Sequence, residues 1–229
     1  MENISPPITK IRSKDFITYR RLWLDTCLEK FEPLMRGTVL DVGGKRENKR
    51  GSFNPPENLA KAWWYVNLDN DTHPDIITDV ATLPVKSGSM DVVICTEVLE
   101  HLENPSSCAQ EIHRILKAGG TGFFSVPFMY PVHADPYDYQ RFTADGLRKL
   151  LSPFQSIDIY PMGGYLGILG MFIGIGIHGI SGQSFDKKIL RRTLRWISDF
   201  LCSLDLSKPN WANPIWIKFT TGYFVKVVK

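Results

Sequence analysis

One stretch, residues 89–102, restricts the fold of this chain more than any other. It contains Val92-Val93-Ile94, an apolar β-branched run that is too short for a buried helix and typical of a strand covered on both faces. Strands of this kind belong to open parallel α/β sheets, which bind ligands at the carboxyl ends of their strands. The polar residues that follow this strand are therefore candidates for a functional site: Thr96, Glu97, Glu100 and His101.

Strand and helix patterns alternate along the rest of the chain. The patterns predict strands at 38–42, 63–68, 76–77, 91–95 and 121–126. They predict helices at 15–36, 106–116 and 143–151, the second stopped by Lys117-Ala-Gly-Gly120 and the third capped by Thr143. Alternation of this kind predicts an α/β fold with a Rossmann-like, doubly wound, mostly parallel sheet.

The tail of the chain completes this prediction. Residues 213–229 are rich in β-forming residues and are expected to supply antiparallel strands at the edge of the sheet, after a lid inserted before the last two strands. A length of 229 residues fits one domain, 1–229, with its ligand-binding core at 37–152.

Composition excludes several classes of protein. A hydrophobic content of 43% and a charged content of 22% are ordinary for a soluble globular protein, and a net charge of +3 is too small to indicate nucleic acid. The four cysteines lie far apart and form no C-x-x-C pair, so neither a disulfide framework nor a metal site is predicted. The first residues lack the order of a secretory signal, so we expect a cytoplasmic protein.

Acidic residues stand at three successive strand ends. Asp41 precedes Gly43 and Gly44, glycines that let the backbone approach a ligand closely. Asp69 follows the second strand, where an acid accepts hydrogen bonds from the hydroxyls of a ribose. Asp79 precedes Val80 in a third loop. Asp69 alone also fits a turn-capping role, but the three acids together predict a nucleoside-binding site.

Several ordered motifs make residues 37–152 resemble the class I S-adenosylmethionine-dependent methyltransferases of the type 11 domain group. The motifs are Leu40-Asp-Val-Gly43, Asn67-Leu-Asp69, Asp79-x3-Leu83-Pro84, Ser89-Met-Asp91, Glu97-Val-Leu-Glu-His-Leu102 and Glu111-Ile-His-Arg-Ile-Leu-Lys-Ala-Gly-Gly120.

This resemblance implies S-adenosyl-L-methionine as the cofactor. It implies that Asp41, Gly43 and Gly44 lie beside the methionine end and that Asp69 holds the ribose. It also implies that Asp79 and Val80 face the adenine and that Thr96 and Glu97 line the floor near the sulfonium. A site so rich in acids suits a cationic cofactor and would repel the pyrophosphate of a dinucleotide.

The segment after the first strand departs from the family pattern. Its third glycine is missing, and 28 residues separate Asp41 from Asp69, against roughly 20 in a standard βαβ unit. Pro55-Pro56 forbids a continuous helix there, so we expect a loop or a stunted helix. Lys45 or Arg46 is a candidate to meet the carboxylate of the cofactor, whereas Lys49 and Arg50 fit a solvated charged loop.

The loop at 127–143 carries the candidates for acceptor chemistry: His133, Asp135, Tyr137, Asp138 and Arg141. Histidine titrates near neutrality and can take a proton from a hydroxyl, so His133 is the preferred general base and His101 the second choice. Tyr137, Asp138 and Arg141 are predicted to bind substrate, although an Asp138–Arg141 ion pair that braces the loop is the alternative. The segment from His133 to Thr143, with Gly222-Tyr-Phe-Val225, resembles bacterial methyltransferases associated with surface-polysaccharide synthesis.

A glycine-rich apolar run and a basic helix follow at 160–197. The run has no charged side chain from Pro161 to Gln183, and the helix carries Lys187, Lys188, Arg191, Arg192 and Arg195. Three interpretations stay open for this segment: a lid over the site outside the core sheet, peripheral membrane contact, or a membrane span.

The sequence as a whole predicts methyl transfer from S-adenosyl-L-methionine to an oxygen of a small-molecule or glycan acceptor. A catalytically silent binding protein with the same fold is one alternative. An RNA methyltransferase is another, but the modest charge does not favour nucleic acid.

Overall fold

A computed structural model describes residues 18–47, 51–133, 137–182, 184–207, 215 and 218–229. Its strands are β1 (Thr38–Val42), β2 (Ala62–Asn67), β3 (Ile76–Ile77), β4 (Met90–Thr96), β5 (Leu116–Pro127), β6 (Ser156–Met162) and β7 (Gly222–Val228). Its α-helices are α1 (Tyr19–Phe31), α2 (Pro105–Ile115), α3 (Ala144–Leu150), α4 (Tyr165–Gly176) and α5 (Phe185–Ser207). Short 3₁₀ turns occupy Glu32–Leu34, Glu57–Leu59, Asn70–Thr72, Leu99–His101 and Ile177–Gly179.

The seven strands form one sheet in the order β3-β2-β1-β4-β5-β7-β6. All neighbouring pairs are parallel except those of β7, which runs antiparallel to both β5 and β6. The predicted doubly wound, mostly parallel α/β fold is therefore confirmed. The last strand is antiparallel as predicted, but it lies inside the sheet, and β6 forms the edge.

Alternating residues of the strands face two separate hydrophobic clusters. Leu40, Val93 and Phe124 face a cluster completed by α2 and α3. Their chain neighbours Val39, Val92 and Phe123 face a second cluster, built with α1 and with residues of α4 and α5. Burial on both faces explains why β4 reads as an unbroken apolar run in the sequence.

Two local predictions have different outcomes. In the described part of the segment between β1 and β2, the only helical turn is Glu57–Leu59, directly after Pro55-Pro56, so the expected loop or stunted helix is confirmed there. The prediction that residues 117–120 end the helix as a glycine cap was wrong, because α2 already ends at Ile115 and β5 begins at Leu116. Leu116 is extended and fully buried, and it pairs with Met90 of β4, so sheet pairing rather than a glycine cap ends the helix.

The segment at 160–197 enters the structure at a different point from the one predicted. Tyr160, Pro161 and Met162 belong to β6, so the insertion begins after β6 and precedes one strand, not two. It forms a helical hairpin of α4 and α5, in which a Cβ on Gly170 would lie 2.7 Å from the backbone oxygen of Ser198. Across the described residues, no helix has both the length and the apolar composition needed to cross a membrane.

Candidate active site

The order of the sheet reverses between β1 and β4, and ligands of doubly wound folds bind outside the strand ends at such a point. Val42 pairs with both Val66 and Cys95, which aligns the carboxyl ends of β1, β2 and β4 along one edge. The acids predicted from the sequence follow these strand ends. The structure thus places Asp41, Asp69 and Asp79 at the ends of β1, β2 and β3.

The glycines after β1 are required by geometry. Gly43 has a φ of +75°, in the left-handed region that favours glycine, and a Cβ there would lie 2.5 Å from Cγ2 of Val98. A Cβ on Gly44 would come within 2.6 Å of the carboxylate of Asp41. The Asn67 side-chain amide donates to the carbonyls of both glycines, at 3.3 Å and 3.1 Å. Asn67, to which the sequence analysis assigned no role of its own, therefore holds the loop after β1 against the end of β2.

The other two acids cap their own turns. Oδ1 of Asp69 accepts a hydrogen bond from the backbone N–H of Asp71 at 3.0 Å, and Oδ1 of Asp79 accepts one from Ala81 at 2.8 Å. Both side chains are exposed, whereas the neighbouring Val80 is buried. Turn capping was the alternative to ligand binding for Asp69. The structure shows a turn cap at both acids and leaves both side chains exposed to solvent.

Glu97 occupies a strained position directly after β4, with a φ of +59°. Its Oε1 accepts a hydrogen bond from the Ser125 hydroxyl at 2.6 Å, and its Oε2 forms an ion pair with the guanidinium of Arg20. Burial opposes ionisation here, but the Arg20 charge holds the pKa of Glu97 below its usual value. Thr96 is half-buried beside it and pairs with Ser125 across β4 and β5.

Arg20 was missed by the sequence analysis. It lies on α1, is buried, and its guanidinium carbon is 5.0 Å from the centre of the Tyr130 ring. Two of its nitrogens, Nε and Nη2, have no hydrogen-bond partner among the described residues. An arginine on an N-terminal helix gives no sequence signal that it will reach the end of β4.

Glu100, His101 and His133 form a compact cluster at the ends of β4 and β5. Nε2 of His101 lies 3.8 Å, and Nε2 of His133 3.7 Å, from the same atom, Oε1 of the fully buried Glu100. Burial raises the pKa of Glu100, and the Glu100 carboxylate in turn raises the pKa of His133. One ligand atom from each side chain lies within 4.8 Å of the others, close enough to share a metal ion. The sequence had predicted no metal site here.

The predicted substrate residues of the loop brace one another. Asp138 forms a two-pronged ion pair with Arg141, and its Oδ2 also accepts a hydrogen bond from the backbone N–H of His133 at 3.0 Å. These hydrogen bonds hold the pKa of Asp138 well below its usual value. The ion pair offered as the alternative is thus formed, and substrate contact by Asp138, Arg141 or the exposed Tyr137 stays a prediction. Asp135 lies outside the described residues.

Arg46, a candidate for the cofactor carboxylate, is engaged elsewhere. Its Nη2 donates to both carboxylate oxygens of Asp75, at 2.7 Å and 2.8 Å, and its guanidinium stacks 5.1 Å from the centre of the Tyr65 ring. This arrangement joins the loop after β1 to the segment before β3.

Comparisons with known sequences find similarity to methyltransferases over a limited part of the chain. A family model described as a methyltransferase domain matches residues 56–124. The human thiol S-methyltransferase TMT1B is 51% identical over 37 residues, which are 16% of this chain and 15% of that protein. The ubiquinone biosynthesis O-methyltransferase of Pseudomonas syringae pv. tomato is 54% identical over 35 residues, 15% of each chain. The chain thus matches about 15% of the length of these curated relatives.

Solved structures match nearly the whole chain at low identity. A SAM-dependent methyltransferase from Archaeoglobus fulgidus has a TM-score of 0.57 at 14% identity, covering 91% of this chain and 94% of its own. The phosphoethanolamine N-methyltransferase 2 of Haemonchus contortus, in complex with S-adenosyl-L-methionine, has a TM-score of 0.55 at 16% identity. The match covers 97% of this chain and 56% of that chain. The fold is therefore the one that SAM-dependent methyltransferases use.

Proposed function

We propose that this protein is an S-adenosyl-L-methionine-dependent methyltransferase that methylates an oxygen of a small polar acceptor, a sugar hydroxyl in surface-glycan synthesis. The observation that carries the proposal is the set of acids at successive strand ends around the reversal point of the sheet. The methyltransferase domain matched at residues 56–124 supports the same cofactor.

The cofactor site is assigned residue by residue from the family resemblance. Asp41, Gly43 and Gly44 meet the methionine end, Asp69 the ribose, Asp79 and Val80 the adenine, and Thr96 and Glu97 the sulfonium. The two glycines support this assignment, because a Cβ on Gly43 would meet Val98 and a Cβ on Gly44 would meet Asp41. Glycine at both positions therefore lets the backbone turn tightly beside the end of β1, where the methionine end is assigned. A cationic sulfonium also gains from the surrounding carboxylates.

In this proposal the acceptor binds beside His133, which acts as the general base. The acceptor hydroxyl gives its proton to Nε2 of His133, and its oxygen bonds to the methyl carbon. The carbon–sulfur bond breaks as that bond forms, and S-adenosylhomocysteine leaves with the electron pair. Support comes from Glu100, whose carboxylate raises the pKa of His133 and stabilises the imidazolium that forms. Positioning the oxygen in line with the methyl group supplies most of the remaining rate.

Two measurements test this proposal. Isothermal titration with S-adenosyl-L-methionine and S-adenosylhomocysteine separates a cofactor-binding protein from a fold that has lost its cofactor. Turnover is then measured on a panel of sugar and nucleotide-sugar acceptors. His133→Ala should lower turnover by about a hundredfold to ten-thousandfold with little change in cofactor affinity. His113→Gln, a histidine on α2 that packs against Phe154, is the matched control and should keep full turnover. The silent protein of the alternative, which has lost cofactor affinity, would bind neither S-adenosyl-L-methionine nor S-adenosylhomocysteine and would methylate nothing.

The hairpin of α4 and α5 carries a second proposal, peripheral contact with the cytoplasmic face of a membrane. Trp196 and Phe200 stack 5.5 Å apart on α5, and Trp196 is 65% exposed. The apolar side chains that α5 exposes are Phe185, Ile189, Leu190, Trp196 and Phe200. The cations Lys187, Lys188, Arg192 and Arg195 are exposed on the same helix. Exposed aromatics among cations are typical of helices that lie in a lipid interface.

Sedimentation with anionic vesicles at low and high salt tests this contact. Each cation near an anionic surface contributes about 1 kcal/mol, so Lys187→Gln with Lys188→Gln should weaken binding by about tenfold to thirtyfold at low salt. Lys86→Gln, an exposed lysine outside the hairpin, should change little. No sedimentation at either salt would leave the lid interpretation, which predicts that cofactor and acceptor together protect the hairpin from protease.

A further inference from the structure

Glu100 is a buried carboxyl group that makes no hydrogen bond to the described residues. Its side chain is fully buried, and neither carboxylate oxygen has a hydrogen-bond partner among the described residues. A buried carboxylate needs a bound cation, a hydrogen-bond donor or a proton, because an isolated charge in a protein interior is strongly unfavourable. A bound cation is one of the ways in which Glu100 can be satisfied, and the neighbouring side chains decide whether it fits.

The two histidines face Glu100 at a distance that does not suit a direct hydrogen bond. A charge-assisted N–H···O bond measures about 2.7–2.9 Å, whereas the two Nε2 atoms lie 3.8 Å and 3.7 Å from Oε1. A metal ion bound at about 2.0–2.2 Å by imidazole nitrogen and carboxylate oxygen holds tetrahedral ligand atoms about 3.3–3.5 Å apart. The observed separations exceed that spacing by a few tenths of an ångström.

A hydrogen bond behind His101 and a carboxylate near Nδ1 of His133 favour metal binding over ion pairing. Nδ1 of His101 donates to the backbone carbonyl of Tyr137 at 2.5 Å, which leaves the lone pair of a neutral ring on Nε2. Nδ1 of His133 lies 3.4 Å from Oδ2 of Asp138, the carboxylate that Arg141 holds in place. Metal-ligating histidines characteristically have such a carbonyl or carboxylate behind them.

From this geometry we propose that Glu100, His101 and His133 bind one divalent first-row transition-metal ion. Two imidazoles and a carboxylate select such ions over Mg²⁺ or Ca²⁺, which prefer all-oxygen sites. Three protein ligands leave at least one coordination position for a further ligand. The histidine side chains are 17% and 29% exposed, so that position is reached from solvent while Glu100 anchors the ion from inside.

The role of the ion rests on the proposed methyl transfer. An acceptor hydroxyl that coordinates the ion has a lowered pKa and loses its proton to solvent. Its oxygen then bonds to the methyl carbon as the carbon–sulfur bond breaks, releasing S-adenosylhomocysteine. With the ion bound, Nε2 of His133 is a ligand, so the ion replaces the general base. The metal site itself depends on none of this chemistry.

Titration of the full chain with Co²⁺, without cofactor or acceptor, tests the site. The chain is stripped with a chelator and dialysed, and visible absorption is followed until one equivalent is bound. Nitrogen and oxygen ligation should give visible bands without the near-ultraviolet sulfur-to-cobalt band, which would mark binding by cysteine. Zn²⁺ should displace Co²⁺ from the same site.

Variants locate the site and keep the test decisive. Glu100→Gln and His133→Ala should each weaken Co²⁺ binding by at least about a hundredfold, since even residues behind the ligands contribute about tenfold to a hundredfold. His73→Asn, which removes an exposed imidazole, should bind as the wild type does. Circular dichroism checks that each variant is folded, and His133→Ala, at a partly exposed position, serves if Glu100→Gln does not fold. Failure of the wild type to bind one equivalent, or binding by both variants with the wild-type affinity, would overturn the proposal and leave methyl transfer through a histidine base intact.

Discussion

Replacing Asp69 by alanine gives the sharpest test of the cofactor site. The proposed role of this carboxylate is to accept hydrogen bonds from the ribose hydroxyls of S-adenosyl-L-methionine. In the structure its Oδ1 already accepts the N–H of Asp71, and the side chain is exposed, so ribose contact adds to a turn cap that exists without ligand. Alanine removes both contacts, and the two losses are measured separately.

The magnitudes follow from these contacts. A hydrogen bond to a charged group contributes about 1.5–3 kcal/mol, so losing one ribose bond weakens cofactor binding by about tenfold to 150-fold. Losing the cap of a turn lowers the free energy of unfolding by about 0.5–2 kcal/mol, and this occurs with or without cofactor. Asp69→Asn keeps an oxygen for the cap and removes the charge, so it should recover most of the stability and only part of the affinity.

Isothermal titration gives the affinity, and urea unfolding gives the stability. Asp71→Ala is the matched control, because Asp71 lies in the same turn and contributes its backbone N–H, not its side chain, to the cap. It should bind cofactor like the wild type. If folded Asp69→Ala binds S-adenosyl-L-methionine with unchanged affinity, the ribose assignment is wrong.

Three further outcomes are expected, each measured by the free energy of unfolding in urea. Gly43→Ala should lower the free energy of unfolding by about 2–4 kcal/mol, because it adds backbone strain and a clash with Val98. Gly119→Ala, at a φ of +76° with open space around it, should lower it by only about 1–2 kcal/mol. Equal losses in the two variants would show that the clash contributes nothing. Gly170→Ala should lose about 1–3 kcal/mol by forcing α4 from α5, and no loss would mean that the hairpin tolerates separation. Because hydrogen bonds from Arg141 lower the folded pKa of Asp138, its stabilisation is present above the unfolded pKa of about 4 and is lost as the pH falls through the folded value. Asp138→Asn should therefore lose stability less steeply than the wild type below about pH 4, and parallel curves would contradict this.

The strand ends could be predicted from sequence because their signals are local. A β-branched run followed by a polar turn identifies β4, and acids after short apolar runs place Asp41, Asp69 and Asp79 at one edge of a parallel sheet. Thr143 was predicted as a cap from its own position, and its hydroxyl accepts the N–H of Gly146. Each of these predictions needs only neighbouring residues and the general rule for parallel sheets.

Long-range pairings could not be predicted in the same way. Strands β1 to β4 all lie between Arg20 and Glu97 in the sequence, and no local pattern marks the two residues as partners. The position of β6 at the edge also depends on β7, which inserts between β5 and β6 after the hairpin. The sequence identified Glu100, His101 and His133 as polar residues near strand ends, but it gave no indication that both rings would face one carboxylate oxygen.

Helix α1 connects the hairpin to the active site through two adjacent residues. The hydroxyl of Tyr19 hydrogen-bonds Asp205 on α5, and a Cβ on Gly167 of α4 would meet the Tyr19 ring, so this side chain is enclosed by both helices of the hairpin. The next residue, Arg20, forms the ion pair with Glu97 at the end of β4. A buried ion pair resists separation, because breaking it leaves an uncompensated charge. Tyr19 and Arg20, adjacent on α1, thus join the hairpin to the end of β4 through one hydrogen bond and one ion pair.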